Sequence, residues 1–458
     1  MEAPKTSLVP PPPPPEAWAK PLYGWYVVFV LTLAYTCSFI DRQILTLLIE
    51  PIRRDLQVTD TQVSLLGGLA FSIFYTTLGM PLARLADQTN RRNLMAIGVA
   101  FWTAMTSACG LARSFWTLFM ARVGVGVGEA ALSPAAFSLL SDYFPPHRLA
   151  RAISVYSTGV YFGAGLALMI GGQVIRAVSQ APSQVLPIVG EIYPWQLTFF
   201  VVGALGLPVV AMMFTIREPL RRGLAARKDA AVLQDKPSSW PALRAFMRTN
   251  ARAVTCHISA FTLYGMAIGS YLFWSPSLMI RTHGWTPSRA GLTVGALMFV
   301  LGTAGVSFGG WVADRMALSG RRDAMLRAAW LGMLCGLPFI IATPLLDDER
   351  LATISLGIAI FFLAFPQGLP SAALQVVTPN PLRAQMTSIY FFIGNLIANG
   401  IGPTIPALLT DYVFHDPAAL RYAIVIVGGI TVPLSLAVLS FGLPAYRDSV
   451  QRAEERLG

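Results

Sequence analysis

The sequence predicts an all-α membrane protein of twelve transmembrane helices divided into two six-helix halves. Three observations predict it. Hydrophobic residues make up 54% of the 458 and charged residues only 12%, with a mean hydropathy of +0.57; such a chain cannot cover itself with a water-facing surface. Twelve stretches approach the roughly 20 apolar residues that cross ~30 Å of hydrocarbon. A long polar link leaves six of them on each side, and one loop pattern occurs in both halves.

In order, the spans begin near Gly24, Val63, Leu94, Trp116, Ala152, Trp195, Ala253, Ala290, Ala324, Leu351, Ala384 and Tyr422. A formal charge of +11 invites a nucleic-acid reading, and the placement of the charges removes it. Of 34 Lys and Arg, 24 fall in the termini and the even-numbered loops, eight in the odd-numbered loops, and only Arg42 and Arg122 inside spans. This positive-inside pattern puts both termini in the cytoplasm. Abundant Arg and Ala with few Lys suit a bacterial chain, hence the inner membrane.

Residues 1–22 contain the run Pro10 to Pro15 and are expected to be disordered; they lack the basic start, apolar core and cleavage site of a signal peptide. The first bundle is 23–216 and the second 253–446. The link 217–252 carries nine basic residues. Within it Trp240, Leu243, Phe246 and Met247 oppose Arg244, Arg248 and Arg252 with helical spacing, which predicts an amphipathic helix on the cytoplasmic surface. The tail 447–458 is charged and expected to be disordered. Cys37, Cys109, Cys256 and Cys335 show no paired spacing and no ligand-type neighbours, so neither disulfide, metal nor cofactor is expected.

The recurring loop lies between spans two and three as Ala83-Arg84-Leu85-Ala86-Asp87, closing with Arg91-Arg92. It returns between spans eight and nine as Gly310-Trp311-Val312-Ala313-Asp314-Arg315, closing with Arg321-Arg322. A small residue admits close helix approach, an Asp can pair with Arg or cap a helix, and the basic pair holds the loop inside. We expect Asp87, Arg91, Arg92, Asp314, Arg315, Arg321 and Arg322 to form a cytoplasmic gate. This pattern resembles the major facilitator superfamily, whose loop reads Gly-x-x-x-Asp-Arg-x-Gly-Arg-Arg; the first copy departs from it at Ala83, Gln88 and Asn90. The resemblance covers about Tyr23 to Tyr446. It implies two pseudo-symmetric six-helix bundles rocking about a site near the midplane, and a monomer.

Ionisable residues deep in a span are costly and mark function. The candidates are Asp41 and Arg42 in span one and Arg122 and Glu129 in span four. Arg122 and Glu129, seven apart, share a helix face at 100° per residue; Asp41 and Arg42, adjacent, cannot point at one spot. The alternative is a pair of static ion pairs bracing the bundle. Arg keeps its proton, so each needs an anion: a carboxylate or a substrate group. An anionic head on Arg42 or Arg122 would displace a carboxylate, which in low dielectric takes up a proton, whereas a cationic substrate on Asp41 or Glu129 would expel one. The sequence leaves both signs open.

The glycines of Arg122-Val123-Gly124-Val125-Gly126-Val127-Gly128-Glu129 form no phosphate loop, because no strand precedes them and no Lys follows; they permit close helix contact. In the second half no charge occurs between Phe261 and Met279 or between Ala352 and Thr378. That half offers Tyr264, Tyr271 and Trp274 on span seven and Phe361 and Phe365 on span ten, expected to line a greasy cavity wall, with lipid packing as the alternative. Span five reads Ala167-Leu168 where an antiporter motif would place Gly-Pro, so antiport is not inferred from it.

Ile40-Asp41-Arg42-Gln43, Arg122 to Glu129 followed by Ser133-Pro134-Ala135, and Asp142-Tyr143-Phe144-Pro145-Pro146 together resemble the Spinster-like branch of the superfamily. The resemblance implies a single-chain lipid with a phosphorylated head, such as sphingosine-1-phosphate or a lysophospholipid. It also implies Asp41 with Arg42 as a functional pair and Glu129 as the acidic residue of span four. The expected function is proton-coupled alternating-access transport of an amphipathic lipid, with Asp41 and Glu129 titrating and Arg42 and Arg122 meeting the head group. A carrier of small organic anions or drugs is the alternative, and a non-transporting lipid receptor or scaffold a third reading. His147, His257, His283 and His415 are scattered and no nucleophile has a base beside it, so an enzyme is not expected.

Overall fold

A computed structural model of the chain describes residues 21–157, 159–179, 184–186, 190–219, 240–379 and 382–455. The expected Pro-rich segment falls almost wholly outside these residues, as does most of the link 217–252.

The first half contains spans one (Pro21–Leu47), two (Asp60–Gly67 with Leu69–Gln88), three (Arg91–Cys109), four (Phe115–Glu129 with Leu132–Tyr143), five (Pro146–Ser157 with Gly159–Ser179) and six (Pro194–Thr215). The second contains spans seven (Ala251–His283), eight (Pro287–Leu318), nine (Ala324–Leu345), ten (Glu349–Ala364 with Leu369–Val377), eleven (Arg383–Phe414) and twelve (Leu420–Glu455). Among the described residues nine helices are long and apolar enough to cross a membrane by that measure alone. Spans three, five and seven complete the twelve; of span five, Phe162–Val178 is apolar but shorter than that measure requires. Between spans five and six stands a small antiparallel hairpin, Gln184–Leu186 with Gly190–Ile192, which helical periodicity gave no means of expecting.

Local chemistry sets the span ends. Thr59 and Gln62 form a reciprocal cap at span two and Ser114 with Thr117 one at span four, each satisfying backbone N–H groups that the first turn leaves unpaired. Span four breaks after Glu129. Pro134 supplies the cause: its ring crowds the carbonyl four residues back, at Ala130, and it has no N–H to donate. Spans eight and eleven widen into π-type turns at Met298–Gly302, Asn395–Ile401 and Leu409–Phe414.

Within the first half, span one packs on span five and span three on spans four and six; within the second, span seven packs on span twelve and span nine on spans ten and twelve. The halves meet along two seams, span five on span eight and span two on span eleven. Glycines make both seams close. A methyl built on Gly165 would lie 2.6 Å from the Gly295 carbonyl oxygen, and one on Gly68 would lie 2.7 Å from that of Gly400.

Two expectations for the polar segments meet different outcomes. Trp240–Thr249 is helical, with Leu243 and Phe246 buried and Arg244 and Arg248 exposed. The tail is not disordered through 455: span twelve continues to Glu455, with Ser449 and Val450 buried. Arg447 pairs with Asp323 at 3.3 Å, Glu454 with Arg322 at 3.0 Å, and Arg452 donates to the Asn250 side chain. Local composition reads as solvated there because the compensating partners are distant in sequence.

Candidate functional site

The four intramembrane charges form one cluster between spans one and four, in a crossed arrangement. Arg42 donates through Nε at 2.8 Å and Nη2 at 2.5 Å to a single oxygen of Glu129, Oε2, which also accepts from the Ser38 hydroxyl at 2.5 Å. Arg122 donates at 3.0 Å to the backbone carbonyl of Asp41, not to its carboxylate. Adjacent residues on a helix diverge by about 100°, which is why Asp41 and Arg42 reach different partners on span four.

The cluster is incompletely paired. Asp41 Oδ1, Glu129 Oε1, and Arg122 Nε and Nη2 are buried without hydrogen-bond partners. Asp41, Arg122 and Glu129 are 4%, 0% and 1% exposed, whereas the Arg42 side chain remains 25% exposed. Leaving such capacity unused in low dielectric costs stability, so the arrangement is poor bracing and suits a site whose partners change. Arg42 is also the group with access. Its guanidinium lies over the rings of Phe71 at 4.2 Å, Tyr75 at 4.9 Å and Phe39 at 5.3 Å, a cation–π cradle that keeps the charge in place while its outer edge is open.

The glycines of span four hold this geometry. A methyl on Gly128 would sit 2.8 Å from the Gly98 carbonyl and from Trp102 of span three, and one on Gly126 would sit 2.9 Å from the Phe71 carbonyl of span two. Close approach of span two at that point brings Phe71 and Tyr75 onto Arg42. Ser38, Phe71 and Tyr75 carry no charge and escaped sequence reasoning; their i, i+4 relation to Arg42 (Ser38) and to each other was the available signal.

The aromatic residues of the second half are placed differently from expectation in this conformation. Tyr264 donates to the Phe362 carbonyl of span ten at 3.0 Å and Trp274 Nε1 to the Pro403 carbonyl of span eleven at 2.8 Å. Phe365 fills the space beside Gly309 and Gly332, and the Phe361 backbone abuts Gly305. Tyr271 is 1% exposed, its hydroxyl without a partner. Tyr264, Trp274 and Phe365 thus join helices here, and Tyr271 is buried.

The predicted loop residues lie at the end of the molecule that holds Tyr23 and Glu454. The Asp87 side chain is outside the described residues. Arg91, 2% exposed, donates to Asp142 at 2.5 Å, to Glu218 at 2.7 Å and to the Ser138 carbonyl at 3.0 Å, tying spans three, four and six of one half. The Arg92 backbone N–H donates to Glu218. In the second half Arg315 lies over Trp311, Arg322 reaches Glu454, and Asp314 and Arg321 are exposed.

At the opposite end the halves are joined by charge. Arg281 of span seven makes a two-pronged contact with Asp60 at 2.7 Å on each oxygen and donates to Glu50 at 2.7 Å. Arg53 approaches Asp60 at 2.9 Å, and Asp411 of span eleven accepts from the backbone of Thr61 at 2.7 Å. None of these residues was singled out from the sequence, since charges at span ends read as solvated until the facing partner is known.

The Major Facilitator Superfamily model matches residues 31–403. The chain is 27% identical over 402 residues to an MFS-type efflux pump of Mycolicibacterium smegmatis, covering 87% of each. It is 24% identical to a hexuronate transporter of Bacillus subtilis (91% of this chain, 94% of that one) and 26% identical to Protein spinster homolog 1 of Homo sapiens (84% and 72%). Among solved structures it is similar to a bacterial homolog of the human lysosomal transporter Spinster in an inward-facing, occupied conformation, with a TM-score of 0.74, 26% identity, and 94% of this chain and 98% of that one covered.

Proposed function

The chain belongs to the Major Facilitator Superfamily and is a multi-pass membrane transporter, not an enzyme; from that premise we propose that it carries a single-chain anionic amphiphile, of the sphingosine-1-phosphate or lysophospholipid kind, coupled to protons. One observation carries the reading: Arg42 is the least buried member of the cluster, bound to a single oxygen of Glu129 and cradled by aromatic rings. An incoming anionic head can take Arg42, and the rings suit the apolar chain behind it. Glu129 and Asp41, like Arg122, are enclosed, so Arg42 is the group a substrate meets first.

Displacement of Glu129 from Arg42 leaves a carboxylate in a low-dielectric wall with only Ser38 donating to it. Uptake of one proton restores neutrality, so anion and proton move together. Arg122, with two unused donors beside Asp41, is the second anchor for the head, and Asp41 the second titrating group.

In this reading the basic termini and even-numbered loops face the cytoplasm of a bacterial inner membrane. The Arg281 network then seals the outer side, and the conformation is inward-facing. Bundles 23–216 and 253–446 of a monomer rock about the cluster, with the loops bearing Asp87 and Asp314 closing the cytoplasmic side in the other state. Uptake of labelled lysophospholipid into proteoliposomes, with and without an imposed pH gradient, tests this. Gradient-sensitive transport abolished by Glu129→Gln supports it, and absence of lipid transport by folded protein overturns it.

The hexuronate transporter among the relatives supports a second reading, a carrier of small organic anions held by the same arginines. Competition separates them: a hexuronate that blocks uptake of its own label while a lysolipid does not would favour the small anion.

A further inference from the structure

Far from the four-charge cluster, the helix Trp240–Thr249 leads through Asn250 into span seven. Its apolar side is spent on the protein: Leu243 and Phe246 are each 6% exposed. Asn250 is buried, donates back to the Phe246 carbonyl at 3.1 Å and accepts from Arg452 of span twelve at 3.0 Å. The helix is thereby fixed to the second half. The side it turns outward presents Pro241, Arg244, Ala245 and Arg248, all exposed, which line an open recess of about 290 Å³. Among the described residues no carboxylate lines this recess, and neither arginine has an ion-pair or hydrogen-bond partner.

Level and chemistry identify the occupant. Arg252, exposed at the start of span seven, lies over the Phe441 ring at 3.9 Å and donates to the Phe441 carbonyl at 3.0 Å. Phe441 belongs to span twelve and is 63% exposed, so its ring faces lipid. A guanidinium laid on such a ring marks the level where hydrocarbon gives way to head groups. Arg248 stands one turn before Arg252 and Arg244 two turns before it; four apart on one helix, Arg244 and Arg248 share a face. An amphipathic helix with its apolar side free would enter any bilayer. Here that side is taken up by the protein, and what remains outward selects by charge. We propose that Arg244 and Arg248 bind the phosphate of an anionic phospholipid in the leaflet at this end, with the small Pro241 and Ala245 leaving room for the head group between them. Because the helix is tied to spans seven and twelve, the bound lipid holds the second half to that leaflet. The site is independent of what the central cluster carries.

The test is capture of a photoactivatable phosphatidylglycerol by the full chain in phosphatidylcholine vesicles, mapped by mass spectrometry of its peptides. The expected result is capture on residues 240–252 that unlabelled phosphatidylglycerol competes away and added phosphatidylcholine does not, and that fades as salt screens the exposed charges. The mole fraction of phosphatidylglycerol giving half-maximal capture should rise about fivefold for each arginine removed in Arg244→Gln and Arg248→Gln. Both side chains are exposed and unpaired, so these variants keep the fold. Capture should persist in Glu129→Gln, which leaves this face intact. Equal competition by phosphatidylcholine, which is the behaviour of an inserting helix, overturns the proposal, as does capture unchanged in the double variant. So does full displacement by inorganic phosphate, which would make the site one for a soluble anion. Loss of transport in the vesicles leaves the capture result standing, so the two readings fail separately.

Discussion

Arg281 of the second half and Asp60 of the first face each other as a parallel two-pronged pair, 2.7 Å on each arm, with Asp60 fully buried. Fork-to-fork pairing of this kind combines charge with direction, and it joins the two halves at this end of the molecule; in the proposed cycle it belongs to the state closed here. Asp60→Asn removes one charge and leaves Glu50 as the carboxylate on Arg281, beside the Pro417 carbonyl. The cost to the closed state is about 3 kcal/mol, the scale for breaking a buried pair. Spin labels placed on the outer ends of spans one and seven should show a longer distance populated in Asp60→Asn and rare in the parent chain. An unchanged distance distribution would mean the network is incidental to gating.

The Arg42–Glu129 pair gives a prediction on stability as well as transport. Glu129→Gln strands a cation held by ring faces, and the chain should lose up to about 3 kcal/mol, tempered because Arg42 keeps some contact with water. Replacing both, Arg42→Gln with Glu129→Gln, should regain most of the thermal stability in detergent without regaining transport. Recovery of transport in the double variant would show the pair to be bracing only.

Arg91 gathers Asp142, Glu218 and a backbone carbonyl around one guanidinium. Lys carries the charge but has no fork, so Arg91→Lys should lower the melting temperature of the purified protein while leaving the direction of transport unchanged. An equal melting temperature would place the weight on charge alone.

How far the sequence disclosed all this depends on whether a signal was local. Span number, the basic asymmetry of the loops and the four buried charges follow from hydropathy and from the cost of charge in lipid, both readable residue by residue. The crossed pairing of Arg42 with Glu129 and of Arg122 with the Asp41 carbonyl was half legible: the 100° divergence was certain, the choice of partner was not. The outer network was illegible, since Asp60 and Arg281 are 221 positions apart and each alone looks like a solvated span end. The helical tail was misjudged for the same reason, its partners Asp323, Arg322 and Asn250 lying in other segments. Aromatic spacing on spans seven and ten showed a shared face but not what that face touches, and Tyr264 and Trp274 spend their donors on neighbouring helices.

In the proposed cycle the seam between spans five and eight slides or separates, and its glycines make the sharpest prediction about motion. At Gly165 a methyl would meet the Gly295 carbonyl at 2.6 Å and the Phe299 backbone nitrogen at 2.6 Å; at Gly172 it would meet the Ser288 carbonyl at 2.9 Å. These contacts are backbone, which cannot rotate aside, so Gly165→Ala should force the helices apart at a cost of about 1–3 kcal/mol confined to the conformation in which the seam is closed. Gly310, with nothing within 4 Å of a built methyl, is the control: Gly310→Ala should be neutral or slightly stabilising through helix propensity. Thermal stability in detergent and the inward-to-outward population by spin-label distance together read the difference. A Gly165→Ala protein with parental stability and parental populations would show that the crossing has slack the structure does not display.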